Sequence, residues 1–118
     1  TVITWGAMTP RCLEAARHFT GPVEILDLRT IIPWYQEHVL ESVHKTGTAL
    51  IVHEDTYTAG FGAEIAATLA SQAFTSLDAP IERLTMPDIP VPYNIGMMEA
   101  VMPSSTSIKK KIAWLLNY

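Results

Sequence analysis

Ala49-Leu50-Ile51-Val52-His53-Glu54, followed after a short polar loop by Ala59-Gly60-Phe61-Gly62-Ala63-Glu64-Ile65, is the stretch that decides the fold. Four apolar residues in succession, two of them β-branched, fit a strand buried on both faces of a parallel sheet. His53 and Glu54 fall where such a strand surfaces at its carboxyl end. Gly60 and Gly62 open a helix whose apolar residues Ile65, Leu69 and Ala73 recur every four positions. The unit is therefore strand–loop–helix, with polar groups and glycines at the edge where open α/β sheets bind ligands.

Upstream, Val2-Ile3-Thr4-Trp5-Gly6 reads as a first strand. Thr9 is the expected N-cap and Pro10 the first residue of a helix reaching about Phe19, with Ala16 and Phe19 inward. Cys12 would then sit in the first turn, where the helix dipole can lower a thiol pKa. A small buried side chain is the plainer role, since no His or Asp lies nearby in sequence to support nucleophilic chemistry. Val23–Leu28 is the second strand. Arg29 and Thr30 at its end can hold an anion or simply tie down the loop. Pro33 keeps Ile32 extended, so the next helix runs from about Gln36 to Thr46, with Val39, Leu40 and Val43 inward and Gly47 ending it. His38 and His44, six positions apart, do not have metal-ligand spacing on a helix.

His53-Glu54-Asp55 has the residue types of an acid/base cluster. Neighbours on a strand point to opposite faces, so the expected role is a polar network bracing the loop Thr56–Ala59. Gly60-Phe61-Gly62 matches part of a dinucleotide fingerprint, but Ile65 stands where the third glycine belongs, and close helix packing explains the glycines better. Ile81–Met86 reads as an edge strand. Pro87–Tyr93 carries three prolines in six positions, so it is extended and cannot be a central strand. This apolar, irregular arm continues through Met97 and Met98 and is a candidate partner surface. Ser104 or Ser105 caps a last helix with Ile108, Ile112 and Leu115 inward, and Lys109, Lys110 and Lys111 on solvated faces.

At 118 residues and 48% hydrophobic content the chain makes one α/β domain with an ample core. A net charge of −4 argues against a general nucleic-acid binder. The single Cys12 excludes an internal disulfide and fits a reducing compartment. There is no apolar run long enough for a membrane span and no signal-peptide or other targeting pattern. Residues 1–118 form a single domain, and a chain that opens at Thr1 directly into a strand reads more like the middle of a longer protein than a natural beginning.

Taken in order, Val2–Ala7, Asp27-Leu28-Arg29-Thr30, Pro33-Trp34, Glu41-Ser42-Val43 with Lys45-Thr46-Gly47, His53-Glu54 with Gly60–Ile65, Ala79-Pro80-Ile81, Pro87-Asp88, Pro90–Tyr93 and Asn117-Tyr118 carry a family resemblance. The chain resembles the C-terminal, transketolase-like domain of the beta subunit of thiamine-diphosphate-dependent 2-oxo acid dehydrogenases. The Arg29–Trp34 phrase and the Asn-Tyr ending favour the branched-chain (2-oxoisovalerate) type over the pyruvate type. The resemblance implies a three-layer α/β/α sandwich with a mainly parallel sheet, order 2-1-3-4 for the strands present, and the family's antiparallel edge strand missing. It implies no catalytic, cofactor-binding or metal-binding residue in this domain. Thiamine diphosphate and magnesium belong to the parent enzyme, which oxidatively decarboxylates a 2-oxo acid and passes the acyl group to lipoyl. The location would be cytoplasmic in a bacterium and the mitochondrial matrix in a eukaryote.

The implied partners are an alpha subunit or alpha part, a second beta subunit, and the subunit-binding domain of the acyltransferase core. Carried over by position, Gly60, Phe61 and Gly62, with Met97 and Met98, are interface candidates. Leu116 and Tyr118, with its carboxylate, are candidates for docking the acyltransferase. Three departures stand out: Ala59 replaces a glycine and stiffens the turn, Tyr35 replaces an Asp that would cap a helix, and Asn94–Met98 lacks the usual prolines. Two other readings remain: the same domain in a transketolase-like enzyme, and a free-standing module holding an anion near Gly6, Arg29, His53 and Gly60.

Overall fold

The computed structural model describes all 118 residues. Four strands form one parallel sheet in the order β2-β1-β3-β4: β1 (Val2–Thr4), β2 (Ile25–Asp27), β3 (Leu50–Thr56) and β4 (Glu82–Met86). Side-chain alternation along β1 and β3 sends Val2, Leu50 and Val52 to one face, where they pack with Met8, Cys12, Ala15, Ile108, Ile112 and Leu115. Those residues lie on α1 (Met8–Ala16) and α5 (Ser105–Leu116). Ile3 and Ile51 go to the other face and meet Val39 and Val43 of α2 (Gln36–Thr46) and Ile65 and Leu69 of α3 (Phe61–Gln72). The two cores with the sheet between them make the expected α/β/α sandwich.

The expected 2-1-3-4 order is observed, and so is the buried stripe Ile65, Leu69 and Ala73. Gly47 ends α2 at φ 70°, its N–H donating to the Val43 carbonyl at 2.9 Å. Tyr35 precedes α2 without a side-chain cap. Ser104 is the cap of α5, in a reciprocal capping box with Ser107.

Four expectations need correction. Helix α1 starts at Met8 and ends at Ala16, with Ala7 as its uncapped N-cap. Thr9 and Pro10 therefore lie inside its first turn, where a missing proline N–H costs nothing. His18 and Phe19 donate to carbonyls three residues back, at 3.3 and 3.1 Å, which tightens the chain into a turn before Phe19. Cys12 sits deeper in the helix and fully buried, and burial pushes its thiol up to about 11, opposite to activation. Regular pairing in β2 covers only Ile25–Asp27, because its partner β1 is itself only three residues long. Residues Ile95–Val101 form a helix, α4, rather than an irregular arm. Asn94 Oδ1 accepts the Gly96 and Met97 N–H groups at 2.9 and 3.3 Å, a cap that the lack of strand or helix periodicity in this apolar stretch concealed. Finally, Lys111 is not free in solvent; it pairs with Glu82 at 2.7 Å and lies over the Trp114 ring.

Candidate functional site

The strand order reverses at β1: the chain moves from β1 out to β2, then returns past β1 to β3. In open α/β sheets the crevice at the carboxyl ends of two such strands is the usual ligand site. Here it is filled. His53, the last inward residue of β3, is fully buried and stacks on Trp5, ring centroids 5.0 Å apart and planes 11° from parallel. Phe61 closes the cluster, edge-on to Trp5 at 5.8 Å and to Trp34 at 6.1 Å.

The two glycines are needed for this closure. A Cβ at Gly62 would lie 2.6 Å from His53 Cδ2 and 3.1 Å from Ile51 Cγ2. A Cβ at Gly60 would lie 2.9 Å from His53 Cε1 and strike the Thr56 carbonyl. The glycines thus let the first turn of α3 rest on the imidazole, the close packing expected from the spacing.

His53 Nδ1 accepts the Asp55 N–H at 3.2 Å, which leaves the ring proton on Nε2, where no partner is found. Burial, with the Arg83 charge, pushes the His53 pKa below its ordinary value, and only Asp55 pulls the other way. The ring is a neutral packing element. Glu54 points out to solvent and Asp55 takes the Thr56 N–H at 2.7 Å, so the network braces the loop through His53 and Asp55 and leaves Glu54 out.

The four residues of the anion reading are only partly brought together. His53 and Gly60 touch. Gly6, at φ 58°, has open space around its Cα. Arg29 is 84% exposed and bonds Asp27 at 3.3 Å.

The turn before α3 is tight. Ala59 holds φ 61°, a left-handed conformation that costs a non-glycine residue about 1–2 kcal/mol. Its preceding residues are held from β4 and the residues just after it: Arg83 donates to the Tyr57 carbonyl at 2.8 Å and lies over the Tyr57 ring, and Asp88 accepts the Thr58 N–H at 2.7 Å and its hydroxyl at 2.6 Å.

The exposed apolar surface lies elsewhere. Ile89, Val91, Tyr93, Ile95 and Met97 all face solvent, Met97 at 61% exposure and Tyr93 fully. Helix α4 buries no residue at all, and Met98 is half-buried. Arg11 Nη2, which donates to both carboxylate oxygens of Glu99 at 2.8 Å, and Arg11 Nη1, which donates to the Pro103 carbonyl at 2.9 Å, hold it to α1. Sequence pattern reached the arm from Pro87 through Met98 but not this Arg11 tie, whose partners are far apart in the chain. At the other end, Leu116 is exposed and Tyr118 is 67% exposed, its ring 5.1 Å from Trp114. Tyr118, Phe74, Leu77, Pro80 and Ile81 line a shallow groove of about 530 Å³.

Comparison with known proteins decides the family. The model of the transketolase C-terminal domain matches residues 1–108. The chain belongs to the transketolase C-terminal domain family. All of it aligns at 41% identity with a third (33%) of the mitochondrial 2-oxoisovalerate dehydrogenase subunit beta 2 of Arabidopsis thaliana. A pyruvate dehydrogenase E1 component subunit beta from Rickettsia bellii is 34% identical over 98% of the chain and 37% of that protein. The solved structure of a split-gene transketolase, an inactive beta4 tetramer, superposes at TM-score 0.81 over 98% of this chain and 37% of that one, at 19% identity. This transketolase C-terminal domain therefore spans about a third of the length of the curated relatives it matches. The Ala59 turn gains its meaning here: the glycine the resemblance leads one to expect would take φ 61° without strain.

Proposed function

We propose that residues 1–118 are the C-terminal assembly domain of the beta part of a 2-oxo acid dehydrogenase, of the branched-chain type. The parent would oxidatively decarboxylate a branched 2-oxo acid and transfer the acyl group to lipoyl. One observation carries the assembly role: the switch-point crevice is packed shut by Trp5, His53 and Phe61, while an apolar arm with no buried helix residue stands exposed. A surface of that kind fits a subunit interface better than a small-molecule site. The higher identity to a 2-oxoisovalerate than to a pyruvate dehydrogenase subunit supports the substrate class.

The side chains present do not fit magnesium and thiamine diphosphate. No three His, Cys, Asp or Glu side chains cluster, Asp55 and Asp88 are committed to backbone N–H groups, and Arg29 pairs with Asp27. No chemical step is routed through this domain, and the cofactor and its metal are assigned to the rest of the parent enzyme. Phe61, Met97 and Met98 would face an alpha part or a second beta subunit, with Gly60 and Gly62, buried against His53, shaping the turn that presents Phe61. Leu116 and Tyr118, beside the Phe74 groove, would meet the subunit-binding domain of the acyltransferase core. No helix is long and apolar enough to cross a membrane; a mitochondrial matrix location in a eukaryote, or the cytoplasm of a bacterium, follows from the proposed parent.

The intact mass of the natural product tests the parentage. A polypeptide about three times the 13.0 kDa of these residues is expected from the 33% coverage, and a 13 kDa product would contradict it. Phe61→Ala separates the assembly role from the anion module. Weakened subunit assembly with unchanged phosphate affinity supports the first, and the reverse supports a ligand site at Gly6, Arg29, His53 and Gly60.

A further inference from the structure

Building on that assembly role, we propose that Asp88 and Arg83 are positioning residues: they hold the Tyr57–Gly60 turn, and with it the Phe61 end of α3, in the form a partner subunit meets. Within itself the turn makes one side-chain bond, from the Thr56 hydroxyl to the Thr58 carbonyl at 2.9 Å. Tyr57, Thr58 and Ala59 are all exposed, and Ala59 is in the left-handed region. On its inner side the His53 ring and the Thr56 carbonyl lie against Gly60.

The stronger restraint comes from outside, across thirty positions of sequence. Asp88 accepts both donors of one residue, the N–H and the hydroxyl of Thr58, at 2.7 and 2.6 Å. Backbone and side chain of Thr58 are thereby fixed together by charge-assisted bonds. Arg83 fixes the preceding residue twice, by its bond to the Tyr57 carbonyl at 2.8 Å and by its guanidinium 3.8 Å from the Tyr57 ring centre. Asp88 is also the root of the exposed arm that carries Ile89 to Met97. One carboxylate therefore ties the arm to the turn, and the two apolar surfaces proposed as interface are held in one relative placement. Solvent-exposed pairs of this kind add little to global stability. Their effect is on where the turn sits.

Hydrogen exchange of the full polypeptide that carries these residues tests this, with subunit assembly measured in parallel by sedimentation. In Asp88→Ala the Thr58 amide should exchange at least about ten-fold faster while the β3 amides Leu50–His53 stay protected. Assembly should weaken about ten-fold, the cost of ordering the turn on contact. Thr58→Ser keeps both donors and should behave as the unaltered protein; Thr58→Val, lacking the hydroxyl, should fall between. An unchanged Thr58 amide in Asp88→Ala would overturn the proposal. So would faster exchange with normal assembly when Phe61→Ala weakens assembly, and in that case the interface itself still stands. If neither variant touches assembly, the assembly role has failed and the positioning role goes with it.

Discussion

The carboxyl end of β3 and the arm after β4 are built on opposite plans. At β3, His53 is fully buried, stacked on Trp5 and covered by two glycines whose replacement would bring carbon atoms well inside contact distance. In the arm, α4 has no buried residue and is held by one arginine and one asparagine cap. A seven-residue helix without tertiary burial is far from self-sustaining in water. The first region is fixed from within the chain; the second has no such burial and is the surface proposed as an interface.

The largest effect that would break this contrast is at Gly62. Gly62→Val puts a branched side chain against His53 and Ile51, and overpacking of that kind costs about 3 kcal/mol, read as a lowered denaturant midpoint. A loss below about 0.5 kcal/mol would show that the closure is loose.

Acid should expose the same site. Burial lowers the folded pKa of His53 below the ordinary 6.5, so below that value the unfolded chain takes up a proton the folded chain resists. Its contribution to stability is fully present above pH 6.5 and is lost as pH falls toward the depressed folded value. Unfolding curves from pH 7 downward should show this decline, and His53→Gln should flatten it. An equal slope in both proteins would place His53 in water.

A smaller effect of opposite sign is expected at the turn. Ala59→Gly relieves the positive φ and should raise stability by about 0.5–1 kcal/mol, net of the entropy glycine loses on folding. The smallest stability effects belong to the arm: Tyr93→Ala or Met97→Ala should move the midpoint by less than about 0.5 kcal/mol, because neither residue is buried.

The same contrast explains what could be read from the sequence. Strand β3, the α3 stripe and the Gly47 stop follow from local rules of burial, period and handedness, which the residues themselves state. So did the steric purpose of Gly60 and Gly62. The Trp5–His53–Phe61 plug joins three separate elements, and no pattern along the chain announces a stack between them. The Asp88–Thr58 and Arg11–Glu99 ties are likewise long-range. Helix α4 was hidden because its apolar residues face solvent, so the periodicity that burial imprints on a helix is absent, and only the Asn94 cap marks it. Family resemblance supplied the order of the sheet and the parent reaction proposed above, which composition alone could not.

The central claim is that the exposed arm serves assembly while the strand-end crevice is closed. The most direct measurement is sedimentation of the full polypeptide that carries these residues with the alpha part proposed for it, comparing the unaltered protein with a Tyr93→Ala/Met97→Ala double variant. Dissociation to smaller species, with an unchanged denaturation midpoint, is the predicted result. Assembly identical to that of the unaltered protein would contradict it.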